Sequence, residues 1–265
     1  MNQSNITIPV VAPFAWDVML EYLQSRLIAD QEYIKNGCYY RQHLNTWLNI
    51  SFDAKQQVLM IHHDAHLVDH NDLIKRCQQL FAPEQETTAI YHHLTQHLPI
   101  PSDFIGFRPL GSWDRFELCI RTIIGQQVSV KAAQTLMQRL KDRCGAINAT
   151  AIANAQLDQM GMPGKRVQTM QYFASQVEQK KLNLDQNWSQ LRGQLLALPG
   201  IGPWTCDYLG IRMGRDEDAF PASDLGLIRS AGAETTRELL KQAESWQPYR
   251  AYAACYLWAG HQTQP

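Results

Sequence analysis

The stretch LPGIGPWTCDYLGIR occupies residues 198–212. Its Pro199-Gly200-Ile201-Gly202-Pro203 segment reads as a tight turn. Helical apolar spacing flanks it on both sides, over 189–196 and over 204–213, so a helix ends at Leu198 and another begins near Pro203. Gly200 and Gly202 permit backbone angles that side chains resist, and they let another molecule come close to the main chain. Pro203 suits a first helical turn, where its absent N–H is not missed. The remaining N–H groups at that helix start point outward, and the helix dipole favours an anion such as phosphate there. A plain corner between two helices, with no ligand, explains the same residues, and the stretch alone leaves both readings open. Two other glycine-loop readings fail. The P-loop pattern is absent, and a dinucleotide fingerprint needs a third glycine where Thr205 stands and a strand where a helix is expected.

Outward from the turn, the chain is helical from about residue 88. Apolar spacing predicts helices over 114–124, 129–140 and 165–180 besides the two at the turn. The N-terminal part is mixed. Trp16 to Leu27 fits an amphipathic helix with Met19, Leu20, Leu23 and Leu27 on one side. Residues 39–64 alternate and are rich in aromatic and β-branched side chains, which predicts two or three antiparallel strands turning near Asn45 and Asp53 to Lys55. A helix over 72–81 comes next. The expected class is α+β: a small N-terminal antiparallel-sheet domain over 1–90, then a helical body. Within that body, residues 91–114 plus 217–265 form one helical domain and residues 115–216 another.

Bulk properties narrow the partners. Of 265 residues, 45% are hydrophobic and 18% charged, which is ordinary for a globular chain. With 24 basic against 25 acidic residues the net charge is −1, which argues against indiscriminate polyanion binding and leaves room for a local basic face. No apolar run is long enough to span a membrane, and the N-terminus lacks the pattern of a signal peptide. The six cysteines are scattered without a C-x-x-C pair, as expected of reduced thiols in the cytoplasm. Nothing in the sequence calls for an oligomer, so a monomer is expected.

The run L-P-G-I-G-P-W-T-C-D-Y resembles the hairpin of the helix-hairpin-helix DNA glycosylases, and Asp224, in A-F-P-A-S-D-L-G-L-I, stands where that superfamily carries its catalytic aspartate. Further segments are similar to the DNA-3-methyladenine glycosylase II (AlkA) type. These are I-I-G-Q-Q-V-S-V at 123–130, G-M-P-G-K-R at 161–166, Y-R-A-Y-A-A-C-Y-L-W at 249–258 and Y-Y-R at 39–41. The resemblance implies that backbone from Leu198, Pro199, Gly200, Ile201, Gly202 and Thr205 grips a DNA phosphate. It also implies a monovalent cation on the carbonyls of Leu196, Leu198 and Ile201, with no cofactor and no other metal. Branches that also cut the DNA backbone carry a lysine where Trp204 stands, so the likeness is to a monofunctional enzyme. The iron–sulfur cluster of some branches needs four closely spaced cysteines near the C-terminus, and only Cys255 lies in the last fifty residues.

The resemblance thus implies a hydrolase acting on double-stranded DNA that contains alkylated bases. Alkylation at N3 or N7 of a purine makes the base cationic and weakens its bond to the sugar. Asp224 is the candidate to stabilise an oxocarbenium-like sugar or activate water, and a place beside a helix start near Leu225 favours its ionised form. Helix capping alone also explains an aspartate there. Trp204, Tyr208 and Trp258 match pocket aromatics of the family and offer ring faces to a cation, though each also reads as an ordinary core aromatic, Trp258 in its apolar run above all. Gln127 stands where the family's wedge fills the gap left by a flipped base; close members use leucine there, so its depth of insertion is in question. Gln126 and Gln127 also read simply as polar residues at a helix corner. Lys131, Lys165 and Arg166 are candidate phosphate contacts. The histidines His62, His66 and His70 fall four apart, but the strand pattern before them makes surface or structural histidines the preferred reading over a metal site. Two rival functions remain: the same fold acting on oxidised or deaminated bases, and a non-catalytic binder of DNA structure.

Overall fold

The computed structural model describes residues 3–64 and 69–262. The chain forms two compact units, Met1–Trp113 with Ala222–Pro265, and Asp114–Pro221.

The first unit begins with β1 (Gln3–Pro9), α1 (Trp16–Gln24), β2 (Glu32–Lys35), β3 (Cys38–His43), β4 (Thr46–Asp53) and β5 (Val58–Asp64). All neighbouring strands run antiparallel in the order β1-β5-β4-β3-β2. Two of the connections are two-residue turns with both φ positive, Asn36-Gly37 and Leu44-Asn45. Turns of this hand match the twist of the flanking strands. Alternation then buries one side of each strand: Tyr39, Leu48, Ile50, Leu59 and Ile61 are all fully buried. The helices α2 (His70–Phe81) and α3 (Thr88–Leu94) come next. Asp69 caps α2 by accepting from the Asp72 amide at 3.0 Å, and Leu73, Cys77, Leu80 and Phe81 form its buried stripe. Phe81 meets Trp16 of α1 and Tyr39 of β3 at ring separations of 5.0 and 5.7 Å. Sequence reasoning missed β1 and β2, the two edge strands, and ran α1 on to Leu27.

The second unit holds α4 (Arg115–Gly125), α5 (Val130–Cys144), α6 (Ala149–Ala153), α7 (Gly164–Glu178), α8 (Trp188–Leu196) and α9 (Pro203–Arg212). Asp114 caps α4 through the amides of Phe116 and Glu117 at 2.8 and 3.0 Å, and Ser129 caps α5 through that of Ala132 at 3.2 Å. Cys119, Ile120, Ile123, Leu140, Phe173, Leu191, Leu195 and Cys206 are fully buried and make the core, with Phe116 stacked on Phe173. α8 stops at Leu196 rather than Leu198, because the Leu198 amide turns back to the Leu195 carbonyl at 3.0 Å in a tighter final turn.

At Ala222 the chain rejoins the first unit with α10 (Leu225–Ser230), α11 (Thr236–Ala243) and α12 (Arg250–Gln262). Among the described residues no helix is long and apolar enough to cross a membrane. All six cysteines are free thiols.

Candidate functional site

The candidate residues fall into two sets, one in each unit. In the second unit, the corner between α8 and α9 is formed as the glycines dictate. Gly200 sits at φ +82, and a Cβ there would overlap the hydroxyl of Thr169 on α7. Thr169 is itself anchored to the Lys165 carbonyl at 3.0 Å. Gly202 is extended and precedes Pro203 at the helix start, where no side chain caps α9. Ile201 is buried and its amide closes the turn onto the Leu198 carbonyl at 3.2 Å, while Cys206 donates to the Gly202 carbonyl at 3.2 Å. The amides of Gly200, Gly202 and Thr205 have no acceptor among the described residues. Pro199 and Gly200 are exposed. The carbonyls of Leu196 and Ile201 likewise accept no hydrogen bond among the described residues, which fits them to a bound cation, whereas the Leu198 carbonyl already takes one.

Three side chains stand in a row along α9. Trp204 and Tyr208 are half-buried and stack at 5.5 Å with an interplanar angle of 15°. Arg212, buried at the end of the row, donates to the Tyr208 hydroxyl at 2.8 Å. The spacing of four residues is the helical repeat, so the row comes directly from the sequence W-T-C-D-Y-L-G-I-R.

Gln127 is exposed at φ +57 in the loop between α4 and α5. Gln126, its neighbour, points the other way. Its Nε2 lies 3.0 Å from the Gly200 carbonyl and 3.0 Å from the Thr205 hydroxyl. Sequence reasoning gave Gln126 no role beyond a polar corner. Lys131 and Lys165 are exposed in the first turns of α5 and α7, beside the half-buried Arg166.

In the first unit, Asp224 is the N-cap of α10. Its Oδ1 accepts from the Leu227 amide at 3.0 Å and from the Trp258 indole N–H of α12 at 3.2 Å. Hydrogen bonds to a carboxylate are charge-assisted and strong, so two donors on one oxygen fix the group's direction. Trp258, expected as a pocket aromatic, is 9% exposed and is spent on orienting this acid. Gly226 completes the arrangement, since a Cβ there would lie 2.9 Å from Asp224 Oδ1 and 3.7 Å from Trp258 Cδ1. Neither the indole contact nor the need for Gly226 was legible in the sequence.

His62 Nδ1 pairs with Asn5 Oδ1 at 2.8 Å across β1 and β5, and His63 packs edge-on against His70 at 5.0 Å. His66 lies outside the described residues. Among the described residues no group of three or more His, Cys, Asp or Glu side chains is placed to hold a metal.

Two family models match the chain: the AlkA N-terminal domain over residues 5–105, and the HhH-GPD superfamily base excision DNA repair protein over residues 120–238. The chain is 32% identical to a probable bifunctional transcriptional activator/DNA repair enzyme AlkA of Mycobacterium tuberculosis, over 96% of this chain and 56% of that protein. It is 30% identical to DNA-3-methyladenine glycosylase 2 of Escherichia coli, over 60% of this chain and 62% of that protein. It therefore spans less than two thirds of the length of either relative. Among solved structures, a 3-methyladenine DNA-glycosylase from Archaeoglobus fulgidus superposes with a TM-score of 0.80 at 15% identity, covering 97% of this chain and 99% of that one, which marks a shared fold. With the glycine corner between α8 and α9 and the Asp-capped α10 inside it, the stretch 120–238 matches the HhH-GPD superfamily of base excision DNA repair proteins, behind an AlkA N-terminal domain match over 5–105.

Proposed function

We propose that the protein is a monofunctional DNA glycosylase that hydrolyses the N-glycosidic bond of alkylated purines, of the 3-methyladenine type, flipped out of double-stranded DNA. The observation that carries the reading is the fixed carboxylate of Asp224, held by the Leu227 amide and the Trp258 indole on one oxygen. Capping alone does not call for a second donor from a helix over thirty residues further along the chain.

In this reading the uncommitted amides of Gly200, Gly202 and Thr205 receive a phosphate oxygen, supported by the start of α9. The carbonyls of Leu196, Leu198 and Ile201 would hold a monovalent cation, which would supply positive charge to this corner. Gln127 fills the space vacated in the stack, offsetting unstacking that costs about a few kcal/mol. Trp204 and Tyr208 present ring faces to the base, and a cation over such a face gains about 0.5–2 kcal/mol. That is a broad preference for positive charge rather than for one methyl position.

The chemistry asks little of an acid. The glycosidic electron pair leaves with the cationic base, which departs neutral. Asp224 stabilises the positive charge left on the sugar and orients the water that adds to C1′, taking up its proton. At position 204 an indole stands in place of an amine, so no Schiff base forms there. We further take the protein to act as a cytoplasmic monomer.

The test is incubation with methylated duplex DNA and analysis of the released bases. Wild type is expected to release 3-methyladenine. Asp224→Asn should still bind the duplex, with release lowered by about 10²-fold or more. A wild-type protein that leaves alkylated bases in place rejects the reading.

A further inference from the structure

Gln126 carries an interaction that the proposed chemistry does not use. It ends α4 with its backbone extended at ψ 124, and Gln127 comes after it in the left-handed region. The two adjacent side chains therefore diverge, one inward and one into solvent. The inward amide spans from the loop after α4 to the corner before α9. Its Nε2 meets both the Gly200 carbonyl and the Thr205 hydroxyl at 3.0 Å. A carbonyl oxygen only accepts, so the amide has a single workable orientation, with one N–H for each partner. Thr205 is 2% exposed, which makes a lost partner there costly. Gly200 is pressed from its other side by Thr169 of α7. The corner is thus held at Gly200 from the loop after α4 and from α7, its carbonyl accepting from Gln126 while its amide has no acceptor among the described residues.

We propose that Gln126 is a positioning residue that locks the wedge loop to the phosphate-gripping corner. The separation between the held phosphate and the inserted Gln127 side chain is then fixed before DNA arrives. The proposal rests on the glycosylase reading for the roles of the corner and of Gln127. Its physical content is preorganisation: without the clasp, the loop must be ordered during insertion, and that cost falls on unstacking alone.

The test compares the full chain with Gln126→Met, which keeps the length and volume of the side chain and removes the amide. Thr205→Val is the second variant, removing one end of the clasp only. Each protein meets two duplexes carrying the same alkylated purine. In one the lesion is fully paired; in the other it lies in a bulge, where little unstacking remains to be done. Single-turnover base release is measured beside the fluorescence of a 2-aminopurine next to the lesion, which rises when its neighbour leaves the stack.

Gln126→Met is expected to lower both signals about tenfold on the paired duplex, the size of effect expected from one or two lost hydrogen bonds, and to approach wild type on the bulged one. Thr205→Val should show the same pattern with a smaller loss. Equal losses on both duplexes would assign Gln126 to general folding, and no loss on either would leave it idle; both overturn the proposal. A wild-type protein that unstacks the lesion but releases no base rejects the glycosylase reading, while the fluorescence still decides the clasp. Wild type that binds without unstacking overturns both.

Discussion

At the residue scale, the acid and its supports make one small system. Asp224, Gly226 and Trp258 are coupled through a single oxygen. Gly226→Ala separates the role of this oxygen in stability from its role in chemistry. The added Cβ would crowd Oδ1 at 2.9 Å, and because Oδ1 ends a mobile side chain, the carboxylate yields rather than the backbone. Losing the cap costs about 1 kcal/mol. Alanine in place of glycine within a helix returns about 1 kcal/mol. The two nearly cancel, and the indole left without this partner adds about 1 kcal/mol, so the unfolding free energy should stay within about 2 kcal/mol of wild type while base release falls of order a hundredfold. Denaturant melts beside base-release rates check this, and unchanged release would show that the direction of the carboxylate does not matter. Asp224 itself was legible, because an aspartate before L-G-L-I reads as a cap and its distance from the glycine corner carried the resemblance. Trp258 was read only as an aromatic face, since sequence says nothing of where an indole N–H points.

At the element scale, the corner between α8 and α9 shows which structure a short pattern can specify. Pro199, Gly200, Gly202 and Pro203 each restrict or free the backbone locally, so the turn needed no tertiary information. What supports it from outside, Thr169 and Gln126, comes from other helices and left no local mark. Gly200→Ala tests that support. A side chain at φ +82 costs about 1–2 kcal/mol for its left-handed conformation. Collision with Thr169 adds to that. Thr169→Ala removes the colliding hydroxyl and leaves the dihedral cost, so the double variant should be more stable than the sum of the two singles implies, by about 0.5–3 kcal/mol. Strict additivity in urea unfolding would place the strain elsewhere. In the sheet, the opposite failure occurred. The Asn36-Gly37 dipeptide between E-Y-I-K and C-Y-Y-R-Q-H is a strong hairpin signal from which β2 could have been read, yet sequence reasoning passed over it. β1 was harder to see: Ile6 and Ile8 alternate with exposed neighbours over only seven residues.

At the scale of the whole molecule, burial sorts the thiols. Cys77, Cys119, Cys206 and Cys255 are fully buried, while Cys38 and Cys144 are half-buried. Burial pushes the Cys77 and Cys119 thiols well up, and that of Cys206 to about 11. The thiolate is the form that reacts, so these groups are both shielded and protonated at neutral pH. A thiol-alkylating reagent followed by mass spectrometry should modify at most Cys38 and Cys144 in the native protein, and all six once it is unfolded. Early modification of Cys119 would show the second unit opening. The division into two units was only partly legible. Sequence reasoning set residues 91–114 and 217–265 together as one helical domain, apart from a sheet domain over 1–90 and a helical one over 115–216, whereas the compact units are Met1–Trp113 with Ala222–Pro265, and Asp114–Pro221.

The chain's return to the first unit at Ala222 has a consequence for the order in which the protein becomes competent. The glycine corner between α8 and α9 lies wholly within a stretch that is uninterrupted in the chain, residues 114–221, whereas Asp224 and the indole that aims it come after it. During synthesis the middle body emerges intact while its predecessor still waits for its last three helices. On the proposed reading, a growing polypeptide would acquire its hold on the double helix first and its bond-breaking acid last, so a ribosome stalled short of Trp258 would display a grip without a blade.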